Sequence, residues 1–395
     1  MSNTGVHGAK VFKQSIEHRT NMELAWIDKA VEGIKSLPIK CAVAAISGGV
    51  DSTTAAVLVR RAIGDRLRAV FIDTGFMRLN EPAHVKELLR DVLPIEVIDA
   101  RDRFYREMLG LSDAEEKRIR FREVFYEVLS GVAREYGCDW LVQGTIAPDW
   151  IETRGGIKTQ HNVLEQIGID TVSKYGFKLI EPLRELYKDQ VRELAKALGV
   201  PSEIVNRQPF PGPGLSIRAV GELTLEKLDV VRGATEIVER RLGGMGLSQW
   251  FAAAWEYDVA SSEDLSRIIN GLGNFKAYVF KVRATGVKGD SRSYGNVVLV
   301  RGDPSNWGLI YDLYRYLGTA RDVTHVVYEL MGRGSGKYFV SIRAVLTEDF
   351  MTADVARIPQ DTLMGIAQEI LGSDERVAAV GYDVTPKPPA TIEYE

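Results

Sequence analysis

The sharpest chemical signal in the chain is Ser47-Gly48-Gly49-Val50-Asp51-Ser52, with Thr53 behind it. Glycines without β-carbons let successive backbone N–H groups close around phosphate oxygens, and a helix starting there adds partial positive charge. Ser47 and Ser52 supply hydroxyl donors. Asp51 is the odd member, because a carboxylate repels a phosphate. It fits if it carries Mg²⁺, which bridges phosphate oxygens and offsets their charge. The turn lacks GxxxxGK[ST] spacing, so the lysine and hydroxyl that serve γ-phosphate transfer are missing. The bland alternative is a tight turn after a buried strand, capped by Asp or Ser.

Such a loop needs a strand before it and a helix after it. CAVAAIS (41–47) is an apolar run closed by glycines and reads as a buried strand; a helix then runs to about Ile63 and stops at Gly64. The alternation continues: strand RAVFID (68–73), helix Glu81 to Asp91, strand IEVIDA (95–100), and a long helix opened by a Ser112/Glu115 capping box and closed at Gly137. Strands WLVQG (140–144) and KLIEP (178–182) follow, then a helix from Lys188 to Leu198. An amphipathic helix over 22–36, with Leu24, Ile27, Val31 and Ile34 on one face, precedes them all. This order predicts an α/β fold with a doubly wound, mostly parallel sheet. Ligands of such sheets sit at the carboxyl ends of the strands, where Asp73, Thr74 and Gln143-Gly144-Thr145 join the loop. There Asp73 suits an adenosine, and equally suits a plain turn.

Residues 145–177 break the alternation, as a functional lid would, with Gly155 and Gly156 as a hinge. A Pro/Gly-rich connector over 206–222 separates a first domain, 1–205, from a smaller α+β domain, 223–395. The latter opens with helices (223–242, 262–271) and ends in strands. Its strand-like runs NVVLVRG (296–302) and YFVSIRAV (338–345) each lead through a helical stretch to a second run, VTHVVYEL (323–330) or VAAVGYDV (377–384). That pattern suggests a duplication, about 276–336 and 337–395. Two unrelated strand pairs of similar composition would look much the same.

Composition narrows the class. With 50 basic residues against 54 acidic and a net charge of -4, the chain does not have the charge of a general nucleic-acid binder. Its start has no signal-peptide core, and no window reaches the roughly 20 apolar residues of a membrane span. Cys41 and Cys138 form no CxxC or zinc spacing, so both are expected as core residues without a disulfide framework, in a reducing, cytoplasmic compartment.

SGGVDS, RLNE (78–81), QGT (143–145), IKTQHN (157–162), PFPGPGL (209–215), DFMTAD (349–354) and KPPATIEYE (387–395) stand in one order along the chain. The first resembles the loop of the N-type ATP pyrophosphatases. Together they resemble the ATP pyrophosphatase and C-terminal domains of the GMP synthases, over nearly the whole chain. The resemblance implies an adenine nucleotide alpha hydrolase-like fold and a two-step ligase reaction: ATP adenylates O2 of XMP with release of pyrophosphate, and ammonia then displaces AMP to give GMP. Ser47, Gly48, Gly49, Val50, Asp51, Ser52, Thr53, Asp73 and Gly144 would then bind ATP, with Asp51 on Mg²⁺. Lys158, directed at the phosphates, and His161 would belong to the lid and, with Asp51, to catalysis; Gln160 stands where the family often has His. Arg78, Asp290, Lys387 and Glu393, and more loosely Thr391 and Ile392, match positions that hold XMP; Lys337 matches one poorly.

Neither cysteine has a nucleophile's setting, and no glutamine amidotransferase domain is visible, so the resemblance is to the two-subunit type, fed ammonia by a separate glutaminase. Residues 296–336 resemble the first half of the doubled C-terminal region of the eukaryotic enzyme, implying a one-chain pseudo-dimer that is monomeric without its glutaminase. Two other readings remain open from the residues alone: another pyrophosphatase-loop ligase, such as a NAD synthetase or tRNA-thiolating enzyme, and a catalytically silent nucleotide-binding subunit.

Overall fold

Alternating apolar strands and amphipathic helices build the part of the chain that carries the glycine loop. A computed structural model describes residues 23–149, 171–288, 291–304, 306–320, 322–348 and 350–395. Gly155, Gly156, Lys158, Gln160 and His161 of the expected lid, and Asp290 and Asp349, lie outside the described residues. The chain divides into two compact units that interleave in sequence: Met1–Thr74, Glu81–Arg101 and Glu123–Arg207 in one, Gly75–Asn80, Asp102–Arg122 and Gln208–Glu395 in the other.

In the first unit α1 (23–35) precedes β1 (Ala42–Ala45), α2 (Val50–Ile63), β2 (Leu67–Asp73), α3 (Glu81–Leu89) and β3 (Glu96–Asp99). Next in sequence come helix α4 (Arg101–Met108) and helix α5 (Ala114–Tyr136), of which residues 102–108 and 114–122 count with the second unit, and then in the first β4 (Trp140–Val142), α6 (Thr171–Tyr175), β5 (Lys178–Ile180) and α7 (Lys188–Ala197). The five strands pair in parallel in the order β3-β2-β1-β4-β5, the doubly wound topology expected. The chain reverses its direction of winding between β1 and β4, which is where such sheets open a crevice. Val43, Ala44, Val70 and Leu141 are buried in the sheet, and Ala55, Ala56, Leu58 and Val59 of α2 are buried beside them.

The second unit contains α8 (Leu225–Leu242), β6 (Gln249–Glu256), β7 (Val259–Ser262), α9 (Glu263–Ile269), β8 (Asn274–Lys288) and β9 (Ser291–Asp303). After a 3-10 turn at Trp307–Asp312 come α10 (Leu313–Leu317), β10 (Val323–Gly332), β11 (Tyr338–Leu346), β12 (Asp354–Val355), α11 (Gln360–Ser373) and β13 (Val377–Asp383). Two β–α–β crossovers are present. β9 is parallel to β10, and β11 is parallel to β13. The two pairs meet through an antiparallel β10–β13 contact, and antiparallel β8 and β6 flank them. Read from β6 to β8 the pairings run antiparallel, parallel, antiparallel, parallel, antiparallel, a palindrome centred on β10 and β13. The core collects Phe251, Trp255, Phe280, Leu299, Phe339 and Tyr394.

Three sequence expectations need correction. The cap of α5 is Asp113, whose Oδ1 accepts from the Glu116 N–H at 2.9 Å, in place of the Ser112/Glu115 box: the helix starts one residue later, so the shorter carboxylate reaches the third N–H. Strands β6 and β7 and the long β8–β9 hairpin fall where only helices and a later strand were expected, because FAAAW is apolar without alternation and alanine carries no strand preference. Cys41 and Cys138 are joined as a disulfide, with Cα atoms 4.5 Å apart. Parallel pairing of β1 with β4 sets these residues, just before each strand, side by side across 97 positions of sequence. In the segment after β13, Ala390, Ile392, Tyr394 and Glu395 are all buried.

At the centre of the palindrome lies a fully buried ionic cluster. Asp383 Oδ2 stands 2.7 Å from His325 Nδ1, accepts from the Tyr394 hydroxyl at 2.7 Å and pairs with Arg343 Nη1 at 2.9 Å. Burial pushes the Asp383 carboxyl upward, but the Arg343 guanidinium and His325 beside it win and hold it well below the usual carboxylate range. Removing one member of a buried pair leaves an uncompensated charge, so Asp383→Ala is expected to cost about 3–5 kcal/mol in urea unfolding. A carboxyl depressed in the folded state stabilises above its unfolded pKa of about 3.9 and loses that contribution as pH falls further. The gap between parent and variant should therefore shrink below about pH 4; a gap that stays constant there would contradict the ionic account.

Candidate functional site

The loop after β1 bonds the amides of Ser47 and Gly49 to its own serine hydroxyls and opens directly into α2. Gly48 has φ +76° and sits so close to its neighbours that a Cβ would lie 2.8 Å from both Arg207 Nη1 and Val85 Cγ2. Gly49 caps α2 with no side-chain bond, and the first intrahelical bond is Thr53 N–H to the Gly49 carbonyl at 3.3 Å. The amides of Val50, Asp51 and Ser52 therefore have no carbonyl within the helix to meet, which makes this helix start an anion site. Ser47 and Ser52 face each other, Oγ to Oγ 2.9 Å, with Ser52 Oγ also accepting from Ser47 N–H at 3.2 Å. Val50 and Thr53 are buried, and the Thr53 hydroxyl is spent on the Gly49 carbonyl at 2.8 Å, so their side chains build the turn from within.

Gly144, after β4, lies against the same turn: a Cβ there would meet Ser52 N at 2.6 Å. The ends of β1 and β4 thus crowd together at the reversal point of the sheet. Asp51 Oδ2 receives Lys188 Nζ at 2.5 Å, while its buried Oδ1 has no hydrogen-bond partner among the described residues. Asp73 ends β2 with its carboxylate 3.8 Å from the Arg101 guanidinium, which is held more tightly by Asp99 at 2.6 Å. The Arg101 contacts also draw the Asp99 carboxyl down to about 2. Behind the loop, Arg207 donates to the Gly48 carbonyl at 3.3 Å and pairs with buried Glu81 at 2.7 Å.

A second constellation belongs to the other unit. Arg78 lies over the Phe210 ring at 4.1 Å and donates to both oxygens of Glu239. Arg218, buried, lies over Phe251 at 3.9 Å and over Phe210 at 5.2 Å. It grips Glu393 with two bonds, 3.0 and 2.8 Å, and Gln249 adds a third at 2.8 Å. Arg78 and Glu393 are thus linked through one aromatic ring and two guanidinium groups. Lys387 donates to the Phe350 carbonyl at 2.5 Å, within a short backbone bridge between Ala353 and Lys387. Thr391 Oγ1 donates to the Thr285 carbonyl at 3.0 Å, and Ile392 is buried. Arg343 braces this tail, donating to the carbonyls of Thr385, Thr391 and Ile392. Lys117 fixes its last residue, Glu395, at 2.5 Å; burial pushes that ammonium down and that carboxyl up, against their mutual attraction.

Sequence reasoning missed Lys188, Arg207, Arg218 and Phe210. The last two stand inside or just after PFPGPGL, in the stretch expected to be only a Pro/Gly-rich connector. Lys188 gave one signal, a cation in the first turn of a helix, where the dipole disfavours it. Among the described residues, no three His, Cys, Asp or Glu side chains gather as a metal cluster, and no helix is long and apolar enough to cross a membrane.

The family model "GMP synthase C terminal domain" matches residues 331–394, and the model "NAD synthase" matches 158–226. The B subunit of the glutamine-hydrolyzing GMP synthase of Sulfurisphaera tokodaii is 49% identical over 371 residues, 94% of this chain and 98% of the relative. The protein of the same name from Saccharolobus solfataricus is 52% identical over 355 residues, covering 89% and 93%. That of Thermococcus kodakarensis is 42% identical over 356, covering 90% and 93%. Among solved structures, NMN synthetase from Francisella tularensis aligns at 18% identity with a TM-score of 0.38, over 53% of this chain and 93% of that one. On the strength of near-complete alignments at about half identity, the chain belongs to the family of GMP synthase B subunits.

Proposed function

We propose that this chain is the ATP-cleaving, ammonia-consuming subunit of a two-subunit GMP synthase. ATP adenylates O2 of XMP, pyrophosphate leaves, and ammonia attacks C2 to displace AMP. The observation that carries this reading is the uncapped glycine turn at Ser47–Ser52, with three amides and two hydroxyls converging at the reversal point of the sheet. Donors fixed in place before the reaction stabilise charge as it develops on the departing pyrophosphate without reorganising. Oxygen O2 leaves poorly until it carries AMP, so the first step supplies the leaving group for the second. Gly144 narrows the turn, and Asp73 is assigned to the adenosine.

Asp51 fits Mg²⁺: its Oδ1 is buried without a hydrogen-bond partner among the described residues, and a lone carboxylate suits an ion that completes its shell from phosphate and water oxygens. When bound, the ion would neutralise phosphate charge. Lys158 and His161, outside the described residues, are assigned to the phosphates and the lid. For XMP we assign Arg78, Asp290, Lys387, Thr391, Ile392 and Glu393. The paired setting of Glu393 supports its part: a carboxylate held by Arg218 and Gln249 accepts a ring N–H in a fixed direction. Domain limits of 1–205 and 223–395, with a duplicated second domain, belong to the same proposal, as does a cytoplasmic setting. The palindromic sheet supports a pseudo-dimer in one chain, to which a separate glutaminase delivers ammonia.

With ATP, Mg²⁺, XMP and ammonium, chromatography should show AMP and GMP in equal amounts, and glutamine should not replace ammonium. Asp51→Asn should slow this at least about a hundredfold, given that a metal's charge stabilisation is worth several kcal/mol. ADP as product would refute the reading. Glu393→Gln should raise KM for XMP about ten- to a hundredfold, the cost of weakening a charged hydrogen bond, and leave KM for ATP alone; an equal rise in both would remove Glu393 from the XMP site. Light scattering of the purified chain should give the 43.9 kDa monomer, and a stable dimer would count against the pseudo-dimer.

A further inference from the structure

His325 sits fully buried on β10 with an acceptor facing each of its ring nitrogens. Nδ1 lies 2.7 Å from the Asp383 carboxylate, and Nε2 lies 3.0 Å from the Thr285 backbone carbonyl. A carbonyl oxygen only accepts, and Arg343 keeps Asp383 in its ionised, accepting form. Both nitrogens therefore donate, and a ring that donates twice is an imidazolium. Neutralising Asp383 is a weak reason for this second cation: Arg343 already meets the same Oδ2 at 2.9 Å, and a further buried charge costs desolvation. The matching pair elsewhere in the sheet does without it. Val300 faces Tyr328 on β9 and β10 as Ile342 faces Tyr382 on β11 and β13, so Arg301 and Glu329, 2.8 Å apart, stand in the register of Arg343 and Asp383. The position on β13 that matches His325 on β10 is Ala379.

What the imidazolium adds lies at Thr285. That carbonyl also accepts from Thr391 Oγ1 at 3.0 Å, a hydroxyl that reaches the Glu393 carbonyl as well. The Thr285 N–H and hydroxyl both donate to the Tyr394 carbonyl, each at 2.7 Å. The Tyr394 ring stacks on the imidazole with centroids 4.5 Å apart, and its hydroxyl donates to Asp383. The residues on either side of Glu393 are thus fixed through His325, whereas Arg218 and Gln249 hold only its carboxylate. We propose that His325 is a positioning residue for the acceptor nucleotide: donating from both nitrogens, it locks Thr285, and with it the backbone of Thr391–Tyr394, where Glu393 meets XMP. The inference rests on reading Glu393 as an XMP contact. A neutral ring has one N–H for two acceptors, and the carboxylate is the stronger of them, so Thr285 is the partner it would release.

The test uses the full chain, its five histidines labelled with the heavy nitrogen isotope for NMR at neutral pH. The His325 signals are those lost in His325→Gln or, should that variant not fold, those of the ring that exchanges slowly with solvent. They should show a proton on each nitrogen; a ring with one proton overturns the proposal. Two amide substitutions then separate the bonds. The amide nitrogen of Gln overlays Nε2 and keeps the Thr285 bond, while that of Asn overlays Nδ1 and keeps only Asp383. With ATP and ammonium saturating, His325→Asn should raise KM for XMP about tenfold, the size of one lost buried bond, and His325→Gln should stay within about threefold of the parent. In both, kcat and KM for ATP should hardly move. Both variants lose the charge and the stack on Tyr394, so a merely structural role predicts equal KM values for XMP that follow their melting temperatures, and that result overturns the proposal. If Glu393→Gln leaves KM for XMP unchanged, the reading of the site falls and the proposal with it. If Glu393→Gln raises it and His325→Asn does not, only the proposal falls.

Discussion

The close approach of the β1 and β4 ends constrains everything around the phosphate turn. A Cβ at Gly144 would strike the backbone of Asp51 and Ser52, and one at Gly48 would strike Arg207 and Val85. Without β-carbons there, two segments meet that side chains would hold apart, and the first amides of α2 are left without intrahelical partners. The same crowding fixes where Asp51 lies, in the first turn of that helix, where the dipole favours its charge. Its Oδ2 then meets the ammonium of Lys188 at 2.5 Å. A site built from backbone in this way is rigid in its donors and adjustable in its side chains.

The other unit solves a different problem, holding still a segment that lies beyond its last strand. Residues 384–395 are pinned by Arg343 through three carbonyls, by Arg218 through Glu393 and by Lys117 through Glu395. Buried charges of this kind add little net stability, because desolvation offsets most of their attraction. What they fix is direction: a buried guanidinium tolerates few arrangements of the carbonyls around it. Glu393, only partly buried, inherits its orientation from groups that are wholly buried.

Much of this was legible in the sequence, for identifiable reasons. The inner strands β1, β2 and β4 announced themselves because strands buried on both faces read as apolar runs between amphipathic helices, and SGGVDS could be placed once β1 and α2 were. The second unit was harder. β6 has no alternation, since its alanines face packed groups on both sides, and the β8–β9 hairpin alternates too irregularly to stand out. The Asp113 cap was missed by one residue, the ordinary error at a helix boundary. The partners of the site residues were illegible for another reason: Lys188 to Asp51 and Arg218 to Glu393 span 137 and 175 residues, and no local pattern encodes a contact made only after the sheets form. The Cys41–Cys138 bond belongs to the same group, because composition argued from compartment while register set the geometry.

If the palindromic sheet is the tandem repeat proposed, its consequences differ from those of a dimer. In a two-fold dimer, both halves have one sequence, so a residue needed at one end must also be tolerated at the other. Two β–α–β units in one chain are free to diverge. Here the first crossover carries a five-residue helix, Leu313–Leu317, and the second a fourteen-residue helix, Gln360–Ser373. The family model covers the second half, 331–394, the half that bears Arg343, Lys387 and Glu393. His325, on the first half, still meets Asp383, on the second, across the pseudo-axis. The two halves thus meet through paired contacts of the same kind, while the crossovers that flank them differ in length.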